Sequence, residues 1–298
     1  MIDYASLVTD YNATLSVSTS RTLLYGAAGS GKTKLASTWP SPFFIDADRG
    51  MRSIDTTGKI KYMRLPGYIP TNAISATNIS SFELVMNILK DAKNGTGEFA
   101  PGKSLADRDT LVIDGISALV DEFFLKEIML INKKDPTTDK AGFDEYGQLK
   151  NQLVQLGMLI KDVSDKKYVV VTALIDEEKD ALTGAIEGKP LMTGKYRDMI
   201  GGVFDEEYYM ESLDAGGGIQ KYMMYAARYK WYEAKTRLLG KNRLDVSNRG
   251  FDLIKDNYRI GGTVSVGVKP ATVVAGAQSS SPTNANGAFR PAGTSVVH

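Results

Sequence analysis

The order of apolar and polar positions along the chain predicts strands that alternate with helices. Short, nearly continuous apolar runs are typical of strands that are buried on both faces of a parallel sheet, and they occur at 22–25, 42–45, 110–113 and 168–174, with a weaker one at 61–65. Helical periodicity or helix-forming composition follows at 32–38, 81–92, 117–131 and 143–163. This alternation predicts an α/β fold with a mainly parallel central sheet flanked by helices.

The pattern changes after residue 174. A polar, charged segment at 175–195 reads as a loop, and a short helix is expected over 197–204. A strand over 206–212, three glycines at 216–218 and a long strand-like run over 220–236 together predict an antiparallel β-hairpin at the edge of the sheet. In that run Tyr225, Tyr229 and Trp231 alternate with polar or small residues, which favours packing in the core over a base-stacking surface.

Composition predicts one large domain with two appendages. A chain of 298 residues with 43% hydrophobic content can bury a substantial core. Residues 1–20 form a polar N-terminal segment, 21–260 the α/β domain, and 261–298 a flexible tail with three prolines, six glycines and no acidic residue.

A complete phosphate-binding motif directly follows the first apolar run. It has the pattern G-x-x-x-x-G-K-[ST], and it comprises Gly26, Ala27, Ala28, Gly29, Ser30, Gly31, Lys32 and Thr33. Glycines allow the backbone to turn tightly, so that consecutive N–H groups point at an anion. Lys32 is expected to reach the β- and γ-phosphates, and Thr33 to ligate Mg²⁺. The motif therefore predicts that the chain binds ATP with Mg²⁺.

Composition also limits the chemistry that the chain can perform. There is no cysteine, and the only histidine is His298, so thiol nucleophiles, zinc clusters and histidine bases are excluded from the folded part. The formal charge is +1, so a nucleic-acid surface would have to be local. Neither a membrane-spanning stretch nor a secretory signal is visible, which favours a cytoplasmic location without a membrane partner.

Carboxylates follow two of the predicted strands. Asp114 ends the run at 110–113, where a second Mg²⁺-organising carboxylate belongs, because ligands bind at the carboxyl ends of strands in α/β sheets. Asp46 and Asp48 follow the run at 42–45, and either one could orient the water that attacks the γ-phosphate. A helix cap or a salt bridge with Arg49 is the alternative role for this pair.

These segments add up to a family resemblance. The stretches 44–48 and 112–119 resemble the core of RecA-type recombinases. The stretches 23–54, 143–147 and 191–195 resemble the bacteriophage AAA-type, RecA-like ATPases that are associated with single-strand annealing and recombination. The resemblance covers about residues 20–240, and it implies a RecA-like ATPase domain.

The resemblance also implies roles for residues outside the phosphate loop. Asp48 matches the position of a glutamate that acts on the hydrolytic water, and it is one methylene shorter. Lys235 and Arg237 match a K-x-R pair that completes the nucleotide site of a neighbouring subunit. The polar γ-phosphate sensor of the family is replaced here by Ala173 and Leu174, for which Thr172 or Glu177 could substitute.

The expected partners follow from the same resemblance. It implies that the chain binds single-stranded DNA at loops 132–140 and 175–195 and assembles with itself into a ring or a filament. A single-strand-binding protein is a further candidate partner, and the expected location is the cytoplasm of an infected bacterial host. Without the resemblance, the composition of the two loops favours an ordinary solvated surface over a DNA-binding one. Two alternatives stay open: a ring-forming motor or helicase-loader ATPase, and a nucleotide-gated protein that binds DNA or a single-strand-binding protein with little hydrolysis.

Overall fold

The computed structural model describes residues 19–54, 60–65, 80–179, 184, 186–193, 196 and 200–259. The tail expected over 261–298 and almost all of the N-terminal segment lie outside the described residues, as do Lys195 and Arg197. In the described part, no helix is both long and apolar enough to cross a membrane.

Ten strands occur in the described part of the chain. Their bounds are β1 Arg21–Gly26, β2 Pro42–Asp46, β3 Lys61–Arg64, β4 Thr110–Asp114, β5 Tyr168–Ala173, β6 Ile175–Lys179, β7 Ile186–Pro190, β8 Glu206–Asp214, β9 Gln220–Tyr225 and β10 Arg243–Asp245. Eight of them form one sheet in the order β10-β9-β8-β1-β5-β4-β2-β3, and β6 pairs with β7. The six strands from β8 to β3 are parallel, whereas β9 pairs antiparallel with both β8 and β10. The α/β fold with an antiparallel edge hairpin is therefore confirmed.

Helices cover both faces of this sheet. They are α1 Lys32–Ala36, α2 Ser81–Asn94, α3, α4 Phe143–Ser164 and α5 Phe251–Asp256, where α3 joins Ile116–Ala118, a π-helical Leu119–Phe124 and Leu125–Ile131. On one face α2, α3 and α4 pack on alternate strand residues such as Leu23 and Ile113. On the other face α1 and α5 pack on the intervening residues, including Leu24 and Val112. Because both faces are covered, the four central strands are apolar along nearly their whole length.

The second half of the domain differs from the sequence prediction in two places. The segment predicted as a loop over 175–195 contains the β6–β7 pair, a local antiparallel hairpin. Its strands are mostly polar, so they lack the apolar run that marks a buried strand. The strand predicted over 220–236 ends at Tyr225. Beyond it the chain folds back, and Tyr229 stacks on Tyr225 with 3.9 Å between the ring centroids. The expected core role is confirmed for Tyr225, which is buried, whereas Tyr229 and Trp231 are only partly buried and pack against the core.

Candidate functional site

The order of the strands gathers polar side chains at one edge of the sheet. Strand β5 lies between β1 and β4, and β2 follows β4 on the other side. The register pairs Asp46 with Asp114, and Asp114 with Thr172. Since the carboxyl ends of parallel strands meet at one edge, these three side chains lie next to the loop that leaves β1 at Gly26.

The loop from Gly26 to Thr33 has the backbone that its glycines predict. Gly29 and Gly31 adopt φ angles of 77° and 88°, which side-chain-bearing residues rarely adopt. At Gly31 a Cβ atom would also lie 2.5 Å from Cδ1 of Tyr222, so only glycine fits under this ring. The loop therefore combines left-handed turns with close approach to a neighbouring aromatic side chain.

Lys32 lies folded against the inside of this loop. Its Nζ donates hydrogen bonds to the carbonyl oxygens of Gly26 at 2.9 Å and Ala27 at 2.8 Å. Burial lowers the pKa of Lys32 to about 8, although the nearby carboxylates of Asp114 and Asp48 raise it in part. Because these two hydrogen bonds can be exchanged, the buried ammonium group is available to an anionic ligand that enters the loop.

Asp114 is fully buried at the end of β4 and only half satisfied. Its Oδ1 accepts hydrogen bonds from the hydroxyls of Thr33 at 3.0 Å and Thr172 at 2.5 Å. Its Oδ2 is buried and has no hydrogen-bond partner among the described residues. Burial, followed by the charge of Asp48, raises the pKa of Asp114 to about 6, against the two hydroxyl donors. An unpartnered carboxylate oxygen in this position requires a cation or a proton.

Asp46 and Asp48 complete an acidic group with Asp114. The backbone N–H of Gly50 donates to Asp46 at 3.0 Å and to Asp48 at 2.8 Å, and Arg64 Nε lies 3.3 Å from buried Asp46. Asp48 is exposed at the rim, yet surrounding protein displaces enough water to raise its pKa. One oxygen from each of the three carboxylates lies within 4.8 Å of the others. These hard oxygen ligands, with the hydroxyl of Thr33, suit Mg²⁺.

A cavity of about 300 Å³ lies between the loop and these carboxylates, which is a size that ligand pockets commonly have. Asp48, Ser117, Thr172, Leu174 and Tyr222 also line it. The Ser117 hydroxyl joins two chain segments, since it donates to Leu191 O at 2.8 Å and accepts from Leu174 N at 3.2 Å. Sequence reasoning missed Ser117 and Tyr222. Ser117 could have been found from its position three residues after Asp114, whereas no local sequence pattern marks Tyr222.

Lys235 and Arg237 lie away from the phosphate loop of their own chain. The backbone of Lys235 forms an isolated β-bridge with Glu207, and Glu207 pairs with Leu23 near the start of β1. The phosphate loop begins at the other end of β1. The Lys235 ammonium contacts the carbonyl of Gly201. The Arg237 guanidinium is 69% exposed and pairs with Asp205 at 2.8 Å. The structure therefore does not bring this pair together with the other site residues of the same chain.

The lysines of the two loops expected to face DNA differ in their surroundings. Lys133, Lys140 and Lys179 are exposed. Lys134 forms an ion pair with buried Glu145 at 2.6 Å. Of the two substitutes considered for the γ-phosphate sensor, Thr172 lines the cavity, whereas Glu177 accepts a hydrogen bond from the Tyr232 hydroxyl at 2.7 Å.

Taken together, the loop after β1, the carboxylate that ends β4 and the strand order β1-β5-β4 define a P-loop nucleoside triphosphatase fold. The chain belongs to the AAA domain family, whose family model matches residues 18–238. No curated protein matches the chain significantly.

Two solved structures are distantly similar. The RadB recombinase is 14% identical with a TM-score of 0.40, over 78% of this chain and 89% of that chain. The flagellar accessory protein FlaH from Methanocaldococcus jannaschii is 12% identical with a TM-score of 0.33, over 71% and 79% of the two chains. At these values the likeness is remote, and the class of the chain rests on its family and on the order of its strands.

Proposed function

We propose that the chain binds and hydrolyses ATP in the cavity beside Gly31. The observation that carries this proposal is the phosphate loop with Lys32 facing the buried, half-satisfied Asp114. The backbone amides of residues 26–33 and the Lys32 ammonium hold the phosphates. Thr33 and Asp114 would hold Mg²⁺, which would offset the negative charge of the phosphates. Asp48, at the rim of the cavity, orients the attacking water.

The nucleotide site is completed by a second copy of the chain. Lys235 and Arg237 lie far from their own phosphate loop, and the Arg237 guanidinium is exposed. A cation supplied by a neighbouring subunit stabilises the charge that develops during phosphoryl transfer, so hydrolysis depends on assembly into a ring or a filament.

The ATPase acts on single-stranded DNA, in phage recombination or annealing, in the cytoplasm of an infected host and together with a single-strand-binding protein. Exposed Lys133, Lys140 and Lys179 supply contacts to phosphates. Such contacts make affinity salt-dependent, with a slope of about −0.7 per phosphate neutralised on a log–log plot. Replacing Lys133 and Lys179 by alanine should reduce this slope and weaken binding equally for unrelated sequences.

A nucleotide-gated binding protein with slow hydrolysis is the second candidate. It is favoured by Leu174, which is 40% exposed and lines the cavity where related recombinases have a polar sensor. In that case ATP would control DNA binding while turnover stays slow.

Three measurements on the full chain test these proposals. Calorimetry with Mg-ATP should detect binding, and its absence for well-folded protein would refute the nucleotide site. Turnover should rise with single-stranded DNA, and particle mass should rise with ATP. Tight DNA binding that requires ATP, without turnover, would favour the gated protein. A discrete hexamer with DNA-driven processive turnover would instead indicate a ring motor, and rapid turnover by a monomer without DNA would exclude the recombinase role.

A further inference from the structure

A second, smaller cavity adjoins the phosphate cavity. It measures about 90 Å³ and lies between α1, the strand β9 and the chain that follows β10. The two cavities share three lining residues, Gly31, Lys34 and Tyr222. A ligand held at the phosphate loop can therefore extend past Tyr222 into this side cavity without crossing the protein core.

Tyr222 is fixed where the two cavities meet. Its backbone N–H donates to Ser247 Oγ at 2.8 Å, and its carbonyl accepts from Val246 N at 2.9 Å. The ring lies directly against Gly31, and Lys34 Nζ lies 5.1 Å from the ring centroid. Its hydroxyl donates a hydrogen bond to Gln220 Oε1 at 3.3 Å and has no other hydrogen-bond partner among the described residues. The aromatic ring, rather than the hydroxyl, is thus the part of Tyr222 that is presented to the cavities.

The walls of the side cavity are apolar inside and polar at the mouth. Leu35 and Val246 are buried and contribute aliphatic surface. Gly250 approaches Thr38 so closely that a Cβ atom would lie 2.4 Å from its Oγ1. Asn248 is exposed, and its amide carries both a donor and an acceptor. An apolar slot with one aromatic wall and few polar groups is typical of sites for planar heterocycles.

The direction of a bound triphosphate follows from the charges around the phosphate cavity. Thr33 contacts Asp114, and Asp46 and Asp48 lie at the same end of the cavity, so under the proposed function the metal and the γ-phosphate would bind at this end. The uncharged part of a nucleotide then leaves the loop on the opposite side, along Lys34 and past Tyr222.

Resting on the function proposed above, we propose that the side cavity is the nucleoside subsite, where the base packs against the ring of Tyr222 and meets the amide of Asn248. The phosphate loop binds the phosphates of any nucleotide. The side cavity therefore supplies the additional affinity by which the protein binds a nucleoside triphosphate more tightly than a bare polyphosphate chain.

The test compares Mg-ATP with Mg-tripolyphosphate by calorimetry on the full chain. Tyr222→Ala should weaken Mg-ATP binding about tenfold or more, as expected for the loss of one base–aromatic stack, and leave the tripolyphosphate affinity unchanged. Tyr222→Phe keeps the ring and should bind both ligands like the wild type. Tyr62→Ala, at an exposed tyrosine on the opposite edge strand β3, is the matched control and should change neither affinity.

The outcomes separate this inference from the proposed function. Unchanged Mg-ATP affinity in Tyr222→Ala would overturn the subsite, as would an equal loss for both ligands, because such a loss reports damage to the phosphate loop. A wild-type protein that binds tripolyphosphate as tightly as ATP would also overturn it. If the wild type binds neither ligand, the proposed nucleotide site itself is refuted.

Discussion

Lys32 is the residue on which nucleotide binding depends most directly. Its ammonium group donates hydrogen bonds to two loop carbonyls and can exchange them for hydrogen bonds to phosphate oxygens. Lys32→Ala removes charge-assisted hydrogen bonds, each worth about 1.5–3 kcal/mol, so Mg-ATP affinity should fall at least about tenfold in calorimetry. Lys90→Ala, at an exposed lysine on α2, is the matched control. Equal affinities of the two variants would contradict the assigned role.

Burial and the charge of Asp48 both disfavour the ionised form of Asp114, against the hydroxyl donors Thr33 and Thr172. Because the pKa of Asp114 is raised to about 6, the unfolded chain releases this proton at lower pH than the folded chain does. The contribution of this group to stability is therefore complete below its ordinary pKa and is lost as pH rises through about 6. Above that pH, keeping this carboxylate ionised in the folded protein costs on the order of 3 kcal/mol of stability.

Asp114→Asn removes this titration while keeping an oxygen that accepts from Thr33 and Thr172. In the ligand-free protein, the melting temperature of the variant relative to wild type should be higher at about pH 7.5 than at about pH 4.5. Stabilisation by Mg-ATP should be lost at both values, since the cation has lost its buried ligand. A difference in melting temperature that does not change with pH would show that Asp114 has an ordinary pKa.

At the scale of elements, helix α2 begins at a capping motif formed by residues that are close in the sequence. The Ser80 hydroxyl accepts from Glu83 N at 3.1 Å, and the Glu83 carboxylate accepts from Ser80 N at 3.4 Å, which forms a capping box. Ser80→Ala should lower the free energy of unfolding by about 1 kcal/mol in urea denaturation. Ser80→Asn keeps an acceptor at the N-cap and should retain most of that stability. An unchanged free energy of unfolding in Ser80→Ala would mean that the cap contributes nothing.

Sequence patterns predicted the elements unevenly, and the reason is physical. The central strands β1, β2, β4 and β5 are nearly all apolar because helices cover both of their faces, so each one is recognisable locally. The pair β6–β7 is polar and β10 has only three residues, so neither shows the apolar run that marks the central strands. Helix α5 also escaped prediction, because it has only six residues and its Phe251 packs on Trp39 and Tyr168, which are distant in the chain.

At the scale of the whole molecule, the proposed K-x-R pair predicts that turnover requires contact between subunits. Arg237→Ala should reduce turnover by about 1,000-fold or more and leave ATP binding by the isolated subunit unchanged. Arg21→Ala is a matched control, because Arg21 binds the same Asp205 carboxylate at 2.9 Å, and it should keep its turnover.

Mixing variants tests whether the residue acts across an interface. Lys32→Ala subunits lack a working nucleotide site but carry Arg237, whereas Arg237→Ala subunits have the complementary defect. Combined in equal amounts, the two inactive proteins should recover part of the wild-type turnover. No recovery in mixtures that demonstrably assemble would refute a role in trans.

The sequence by itself determined the phosphate loop, the carboxylate that ends β4 and the alternation of strands and helices. These features depend on a contiguous motif or on local periodicity, so they can be read without the fold. The tertiary structure alone decided the positions of Tyr222, Ser117 and Thr172 at the cavity. Each of these residues lies far along the chain from Gly31, and only the insertion of β5 between β1 and β4, and the folding of β9 beside α1, bring them to it.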